Sequence, residues 1–337
     1  MDPRSESRSE GRFRGKVALV SGGGSGIGQG IAVELAREGC DVIINDLPPP
    51  SAAPAGTAAG GKAPADSAAV GEKRARPEDE DVGGGDAGGG GAAAAVAAVA
   101  TAVADGAQKT AAMVRAMGRR ALVCYADVSD RAAVEEMIRT AVGAFGHIDV
   151  LIPCAYFSHR APFLDIDPAL LAKTFDVTCF GTFHLMQLCA RQMVVQGTGG
   201  KVVIIGSVMS KYPQTISTST CYNAAKAALD SMTRTVATEL AQHRINVNLI
   251  RPGWILTDGE RQFSSEADIL KGHAVLPLGM GLPADIAKGV CYLASSDADY
   301  VTGTTLDIDG GFGLATRIPG LHAPIACAKN PVHEPLL

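Results

Sequence analysis

The stretch from Lys16 to Ile44 does most to limit what this chain can fold into. Lys16 to Val20 is a short apolar run followed by glycines, which predicts a strand and then a turn. Ile27 to Glu38 repeats apolar residues at helical spacing, and Val42 to Ile44 predicts a second buried strand. A strand, a helix and a strand in this order form the unit from which parallel sheets are built.

The alternation of strands and helices continues along the chain. Further strands are predicted at Leu122 to Tyr125, Val150 to Ile152, Lys201 to Ile205, Ile245 to Ile250 and Thr304 to Ile308. Helices are predicted within Ala92 to Met117 and at Asp130 to Phe145, Pro168 to Val195, Thr220 to Gln242 and Pro283 to Ala294. This pattern predicts an α/β fold with a doubly wound, seven-stranded parallel sheet flanked by helices.

Composition divides the chain into a folded part and low-complexity segments. Pro48 to Gly91 is rich in Pro, Ala, Gly and Ser and has few large apolar residues, which predicts a disordered insertion. Residues 1–12 are predicted to be a disordered lead, 13–315 the single folded domain, and 316–337 a C-terminal tail. No second domain is needed to account for the sequence.

The overall composition excludes several classes of protein. A formal net charge of -5 argues against a nucleic-acid binder, and no segment suits a membrane. The eight cysteines are scattered, without a Cys-x-x-Cys pair or a His/Cys cluster. We therefore expect buried free thiols in a reducing compartment, a cytoplasmic location and no metal site.

Ser21 to Gly28 joins the first strand to the first helix and is rich in glycine. Glycines let the backbone turn tightly and approach a ligand, and a helix N-terminus offers N–H groups to a pyrophosphate. Asp46 ends the second strand, near the spacing of a ribose-binding carboxylate. Such a carboxylate would accept hydrogen bonds from a 2′-hydroxyl and repel a 2′-phosphate, which predicts NAD rather than NADP. The alternative is that Asp46 only caps a turn.

Tyr222 and Lys226 lie one helical turn apart on the same face of a predicted helix. A phenol with a pKa of about 10 is a poor acid or base at neutral pH, and a neighbouring positive charge would lower that pKa. The pair alone is weak evidence. Its weight comes from the glycine-rich turn upstream and from Ser207 at the end of an apolar run.

These features occur in an order that resembles the short-chain dehydrogenase/reductase family over about residues 13 to 315, apart from the insertion. The resemblance rests on Gly22-x-x-x-Gly26-x-Gly28, Asp46, Asp127, Ser207, Tyr222, Lys226, Arg251-Pro252-Gly253, Thr257 and Asp307-Ile308-Asp309-Gly310-Gly311. Together in this order the motifs are far more specific than any one of them.

The resemblance implies a role for each matching residue. Tyr222 would be the general acid/base, Lys226 would lower its pKa and bind the nicotinamide ribose, and Ser207 would hold the substrate oxygen. The predicted cofactor is NAD, held by Gly22, Ser25, Gly26, Ile27, Gly28, Asp46, Asp127, Val128, Ala155, Tyr222, Lys226, Pro252, Gly253, Ile255 and Thr257.

The chain departs from the family pattern at three places. Pro153-Cys154-Ala155-Tyr156 stands where the family has Asn-Asn-Ala-Gly, so that Tyr156 is expected to crowd or reshape the pocket. Thr178 stands at the family's catalytic asparagine and is predicted as a fourth, shorter catalytic residue. The spacing from Ser207 to Tyr222 is longer than usual, which leaves Ser210 as an alternative for the serine role.

The predicted function is an NAD(H)-dependent oxidoreductase that interconverts a secondary alcohol and a ketone, and that assembles as a homodimer or homotetramer. The alternative is a catalytically weak or inactive dinucleotide-binding scaffold that binds partners through residues 48–91. The predicted substrate pocket takes in a lid from Ile255 to Val275 together with Phe157, Ser158, His159, Met209, Lys211, Tyr212 and Trp254.

Overall fold

In a computed structural model of the chain, the residues described are 11–49, 105–213, 218–262 and 264–315. They form a parallel sheet whose strands are β1 (Val17–Ser21), β2 (Asp41–Asp46), β3 (Ala121–Tyr125), β4 (Val150–Ile152), β5 (Gly200–Ile205), β6 (Ile245–Pro252) and β7 (Thr305–Ile308). The spatial order is β3-β2-β1-β4-β5-β6-β7, seven strands in all. The predicted α/β fold class is confirmed.

The helices of the described residues are α1 (Gly26–Arg37), α2 (Gly106–Ala116), α3 (Arg131–Phe145), α4 (Pro168–Phe175), α5 (Gly181–Gln196), α6 (Thr220–Leu240), α7 (Glu266–Val275), α8 (Pro283–Ala294) and α9 (Phe312–Ala315). They cover the sheet on both faces, because side chains of a strand point alternately to opposite sides. Val20 packs in one core with α1, α2 and α8, whereas its neighbour Leu19 packs in the other with α3, α5 and α6.

The strand order sets where a ligand can bind. The chain runs outward from β1 through β2 to β3, then returns and runs outward in the opposite direction from β4 to β7. In such sheets the crevice beyond the carboxyl ends of the strands, where the order reverses, is the usual ligand site. Ser21, Asp46, Ile205 and Pro252 end β1, β2, β5 and β6 and so lie along this edge.

The predicted long helix from Pro168 to Val195 is wrong in one respect, because a π turn interrupts it. α4 ends at Phe175, the π turn occupies Asp176–Phe180, and α5 begins at Gly181. Thr178 lies inside this turn and is fully buried. A π turn widens the helix by one residue and is common at functional sites.

Other differences concern element ends and two helices, α7 and α9, that were not predicted. The remaining predicted strands and helices match the observed ones to within two residues at each end, as between Lys16–Val20 and Val17–Ser21, and α2 lies within the predicted Ala92–Met117 range. α7 was predicted only as part of a lid, and it buries only Ile269 and Gly272. Two buried positions in a helix leave little apolar periodicity to read.

The N-terminal boundary is also corrected. Arg12 was assigned to a disordered lead, yet its guanidinium binds both carboxylate oxygens of Glu38, at 3.1 and 3.0 Å. Phe13 beside it is 1% exposed. Beyond Pro49 the predicted insertion lies outside the described residues, as do residues 1–10 and 316–337. The seven cysteines among the described residues are free and buried.

Candidate active site

A cleft of about 760 Å³ opens at the carboxyl edge of the sheet, where the strand order reverses. Every residue predicted to bind the cofactor lines it, from Gly22 in the first turn to Thr257 after β6. Three of the residues predicted to be catalytic, Ser207, Tyr222 and Lys226, also line it. Thr178 lies behind the wall of the cleft rather than in its lining.

The glycine-rich turn needs its glycines for steric reasons. Gly22 and Gly26 have φ of 63° and 52°, where most side chains would be strained. A Cβ on Gly28 would lie 2.1 Å from the carbonyl oxygen of Gly22. Ser25 precedes α1 without capping it through its side chain, and the first turn of α1 carries no acidic residue. The positive end of the helix is therefore suited to an anionic group such as a pyrophosphate.

Two carboxylates at the edge of the cleft shape its loops. Asp46 accepts hydrogen bonds from the backbone N–H of Gly24 and of Leu47, both at 2.8 Å. Asp127 accepts bonds from the N–H and the hydroxyl of Ser129, at 2.9 and 2.6 Å. Both acids therefore act as turn-formers, and both still line the cleft, where their remaining lone pairs can accept from a ligand.

Lys226 is buried at the far end of the cleft, with 2% of its surface exposed. Its Nζ donates to the carbonyl oxygen of Ile205 at 2.7 Å and lies 5.8 Å from the centroid of the Tyr222 ring. Burial lowers the pKa of the ammonium to about 8, although the charges of Cys154 and Asp230 work against that shift. The side chain thus loses its proton within the range of ordinary assay pH.

The pKa of Tyr222 shifts in the direction opposite to the one predicted. Burial raises it well above its usual range, and the neighbouring Tyr156, Cys154 and Glu260 raise it further. A hydrogen-bonding interaction with the Ser207 hydroxyl lowers it by less than burial raises it. The sequence predicted a lowered pKa from Lys226 alone, without the loss of solvent. Tyr222 is therefore protonated at neutral pH in the ligand-free protein.

The two serines differ in their contacts. Ser207 lines the cleft, and its Oγ accepts from the N–H of Met209 at 3.1 Å. Ser210 does not line the cleft. Its hydroxyl donates to the carbonyl of Ser207 at 2.8 Å and accepts from Nε of Arg251 at 3.1 Å. Ser210 therefore supports the turn that carries Ser207.

Arg251 joins three elements under the cleft, a role that sequence reasoning missed. Its guanidinium forms ion pairs with Asp230 of α6 and Asp307 of β7, each at 3.1 Å. Its side chain is 15% exposed, so these charges are shielded from water. Lys211 pairs with Asp307 at 2.8 Å. The resemblance had drawn attention to Arg251 only as part of a motif.

The segment after β4 carries the largest departure from the family pattern. Tyr156 lines the cleft, and its ring meets the Tyr222 ring edge-on with centroids 5.8 Å apart. Ser21, whose role was not predicted, anchors this segment by accepting from the N–H groups of Cys154 and Ala155 at 3.0 and 3.2 Å. An aromatic wall therefore stands where a glycine would leave space.

The substrate end of the cleft differs in part from the predicted pocket. Phe157, Ser158, Met209 and Trp254 line it as expected, whereas His159, Lys211 and Tyr212 do not. Several polar residues that were not singled out individually also line it, namely Arg160, Lys173, Ser219, Glu260, Ser264 and Asp268. They converge only in three dimensions, and no short motif marks them.

Comparison with known proteins agrees with this geometry. A family model described as enoyl-(acyl carrier protein) reductase matches residues 90–313. A short-chain type dehydrogenase/reductase from Mycobacterium marinum has the same fold, with a TM-score of 0.69, 25% identity, and coverage of 89% of this chain and 96% of that one. The chain belongs to the short-chain dehydrogenase/reductase family. It is thus an oxidoreductase of a family that uses a nicotinamide dinucleotide.

Two curated relatives have named activities. The 2-dehydro-3-deoxy-D-gluconate 5-dehydrogenase of Dickeya dadantii (strain 3937) is 30% identical over 308 residues, which is 89% of this chain and 96% of that protein. The L-rhamnose 1-dehydrogenase (NAD(P)(+)) of Sphingomonas sp. (strain SKA58) is 34% identical over 302 residues, with the same two coverages.

Two further kinds of feature are absent from the described ranges. No helix there has the length and apolar character needed to cross a bilayer. Nor do the His, Cys, Asp and Glu side chains of those ranges gather in a group of three or more that could hold a metal ion.

The contact at Gly28 generates a prediction. Gly28→Ala places a methyl group against the Gly22 carbonyl, so the turn must open. We expect the affinity for NADH to fall at least about tenfold and the protein to lose about 1–3 kcal/mol of stability. NADH fluorescence titration and thermal unfolding measure the two effects. Gly143→Ala is the control, because a Cβ there meets nothing within 4 Å. Unchanged NADH affinity in Gly28→Ala would contradict the assignment.

Proposed function

We propose that this protein is an NAD(H)-dependent oxidoreductase that interconverts a secondary alcohol and a ketone, with Tyr222 as the general acid/base. The observation that carries the proposal is that Ser207, Tyr222 and Lys226 line the same cleft as the glycine-rich turn and Asp46. The steric need for Gly28, the uncapped start of α1 and the carboxylate of Asp46 fit a nicotinamide dinucleotide.

The residues divide the chemistry as follows. A bound nicotinamide would donate or accept the hydride. During ketone reduction, Tyr222 donates its phenolic proton to the carbonyl oxygen, and the Ser207 hydroxyl hydrogen-bonds to the same oxygen as it gains charge. The ammonium of Lys226 stabilises the phenolate that remains. Oxidation of the alcohol runs through the same groups in reverse.

We assign Thr178 to positioning. Its Oγ1 accepts from the N–H of Phe157 at 3.1 Å and donates to the carbonyl of Phe157 at 3.2 Å. The single hydroxyl proton is thereby used, so Thr178 has no donor left for a water in a proton relay. Its contacts instead hold the segment that carries Tyr156 beside Tyr222.

We further propose a homodimer or homotetramer in the cytoplasm, in keeping with a family whose members are commonly oligomeric. Exposed apolar side chains on and before α5 support self-association, among them Phe180, Phe183 and Val195.

Asp46 leads to a prediction about cofactor choice. Its carboxylate lines the cleft beside the turn, so it should oppose a 2′-phosphate. We expect NAD to bind at least about tenfold more tightly than NADP, or about 1.4 kcal/mol. Asp46→Asn keeps an acceptor for the N–H of Gly24 and removes the charge. This variant should therefore reduce the difference between the affinities for NAD and NADP. The name of the L-rhamnose relative admits both cofactors, so the titration compares both. Equal affinities of the parent protein for NADP and NAD would overturn the prediction.

Tyr222→Phe tests the proton transfer. The change removes the phenolic proton and keeps the ring, so turnover should fall about 100-fold or more while NAD affinity barely moves. Tyr300→Phe is the matched control, because Tyr300 is fully exposed. Initial rates on a panel of secondary alcohols and ketones supply the measurement. If the parent protein binds NAD and turns over none of these alcohols and ketones, the proposal of an enzyme is given up in favour of the dinucleotide-binding scaffold.

The lowered pKa of Lys226 predicts how the rate of ketone reduction depends on pH. Its pKa is lowered to about 8, so the ammonium is present below that pH and lost above it. Because the ammonium stabilises the phenolate, kcat/KM should be level below about pH 8 and decline above it. NADH affinity over the same range separates chemistry from binding. If kcat/KM stays level for about one pH unit above the pKa of Lys226, the charge of Lys226 has no part in the mechanism.

A further inference from the structure

Glu260 is a carboxylate fixed inside the cleft. One of its oxygens, Oε1, accepts from Nε1 of Trp254 at 2.8 Å and from the Ser264 hydroxyl at 2.6 Å. Its backbone N–H donates to Oγ1 of Thr257 at 3.0 Å. Both the side chain and the backbone of this residue are therefore held, so its position does not depend on a bound ligand.

The groups that hold Glu260 are themselves packed. The Trp254 ring lies so close to Gly272 of α7 that a Cβ there would be 2.0 Å from it. Ile269, Leu276 and Met280 form a small core against which Trp254 packs. The described residues between β6 and α7 thus form a wall that presents the Glu260 carboxylate to the cleft.

The second oxygen of Glu260 is available to a ligand. Within the described ranges of the chain, Oε2 makes no hydrogen bond, while the side chain lines the cleft. Asp268, the other acid at the substrate end of the lining, is engaged differently, because its Oδ2 accepts from the Ser265 hydroxyl at 2.6 Å at the start of α7. The negative charge of Glu260 also reaches the reacting end, since it raises the pKa of both Tyr222 and Tyr156.

We propose that Glu260 determines specificity by accepting a hydrogen bond from a second hydroxyl group on the carbon next to the reacting carbinol. The substrates are then vicinal diols and the matching hydroxyketones. This inference rests on the proposed function, since it takes Tyr222 as the group that meets the reacting oxygen.

The chemistry of a carboxylate gives this selection its direction. An ionised carboxylate only accepts hydrogen bonds, so it favours a hydroxyl, gains nothing from a methyl group and repels another carboxylate. The basic residues of the lining other than the buried Lys226 are Arg160 and Lys173, which are exposed, and Lys173 stands over the Phe157 ring at 5.8 Å. A substrate whose carboxylate adjoined the carbinol would instead need these bases to outweigh Glu260.

The test uses three secondary alcohols that share a methyl carbinol. The second substituent of the carbinol carbon is a methyl group in isopropanol. It is a hydroxymethyl group in propylene glycol and a carboxylate in lactate. Each is oxidised with NAD by the parent protein, by Glu260→Gln and by Glu266→Gln. Glutamine can still accept from Trp254 and Ser264, so the wall should stay intact. Glu266 provides the control, as an exposed acid of α7 paired with Arg261 outside the cleft.

The readout is the ratio of kcat/KM for propylene glycol to that for isopropanol. Both alcohols use Tyr222 as the base, so a changed tyrosine pKa cancels in this ratio. The parent protein should favour the diol about tenfold, the scale of one hydrogen bond to a charged group, and lactate should be the poorest substrate. Glu260→Gln should reduce the ratio to about two or less and improve lactate, while Glu266→Gln leaves both unchanged.

Three results would overturn the inference. The first is a ratio unchanged by Glu260→Gln, and the second is a parent protein that prefers lactate. The third is oxidation of the three alcohols without discrimination, in which case the inference fails and the proposed function stands. If none of them is oxidised and the wider alcohol and ketone panel also fails, the proposed function itself falls. Thermal unfolding with NAD present confirms that each variant retains the fold and binds the cofactor.

Discussion

The buried ammonium of Lys226 is the constraint on which the rest of the site depends. A charge that is 2% exposed must replace its water with polar partners, and Lys226 does so by donating to the carbonyl of Ile205 at 2.7 Å. That bond ties α6 to the end of β5. Because Tyr222 lies one turn earlier on α6, the same bond sets where its hydroxyl meets the cleft. Asp230, one turn later, adds a compensating negative charge.

Asp230 extends the constraint to the second catalytic candidate. It forms an ion pair with Arg251 at 3.1 Å, Arg251 donates to Ser210, and Ser210 donates to the carbonyl of Ser207. A continuous set of polar contacts therefore links Asp230 of α6, the helix that also carries Tyr222 and Lys226, to the turn that carries Ser207. Such a network is stable only when all of its members are satisfied, so changes in Arg251 or Asp230 would act on both residues at once.

The parts of the structure that were predictable from sequence are those with a local signal. All seven strands and the glycine-rich turn follow from apolar runs and glycines, and the resemblance supplied the site residues. The π turn at Asp176–Phe180 leaves the flanking apolar spacing helical, so periodicity could not reveal it. The pKa of Tyr222 depends on desolvation, which exists only after packing. Glu260 matters because Trp254 and Ser264 meet it in space.

These differences follow from how the two ends of the cleft are built. The cofactor end relies on backbone, with Gly28 against the Gly22 carbonyl and the start of α1 facing the cleft. These positions require glycine, so this end of the cleft can be predicted from the sequence. The substrate end relies on side chains of a separate wall. There the charge of Glu260, which we propose to select a neighbouring hydroxyl, adds to the effect of burial in raising the pKa of Tyr222. The carboxylate that we propose to choose the substrate thus also makes the tyrosine a weaker acid, so that proton donation to a ketone depends on the ammonium of Lys226 to stabilise the phenolate.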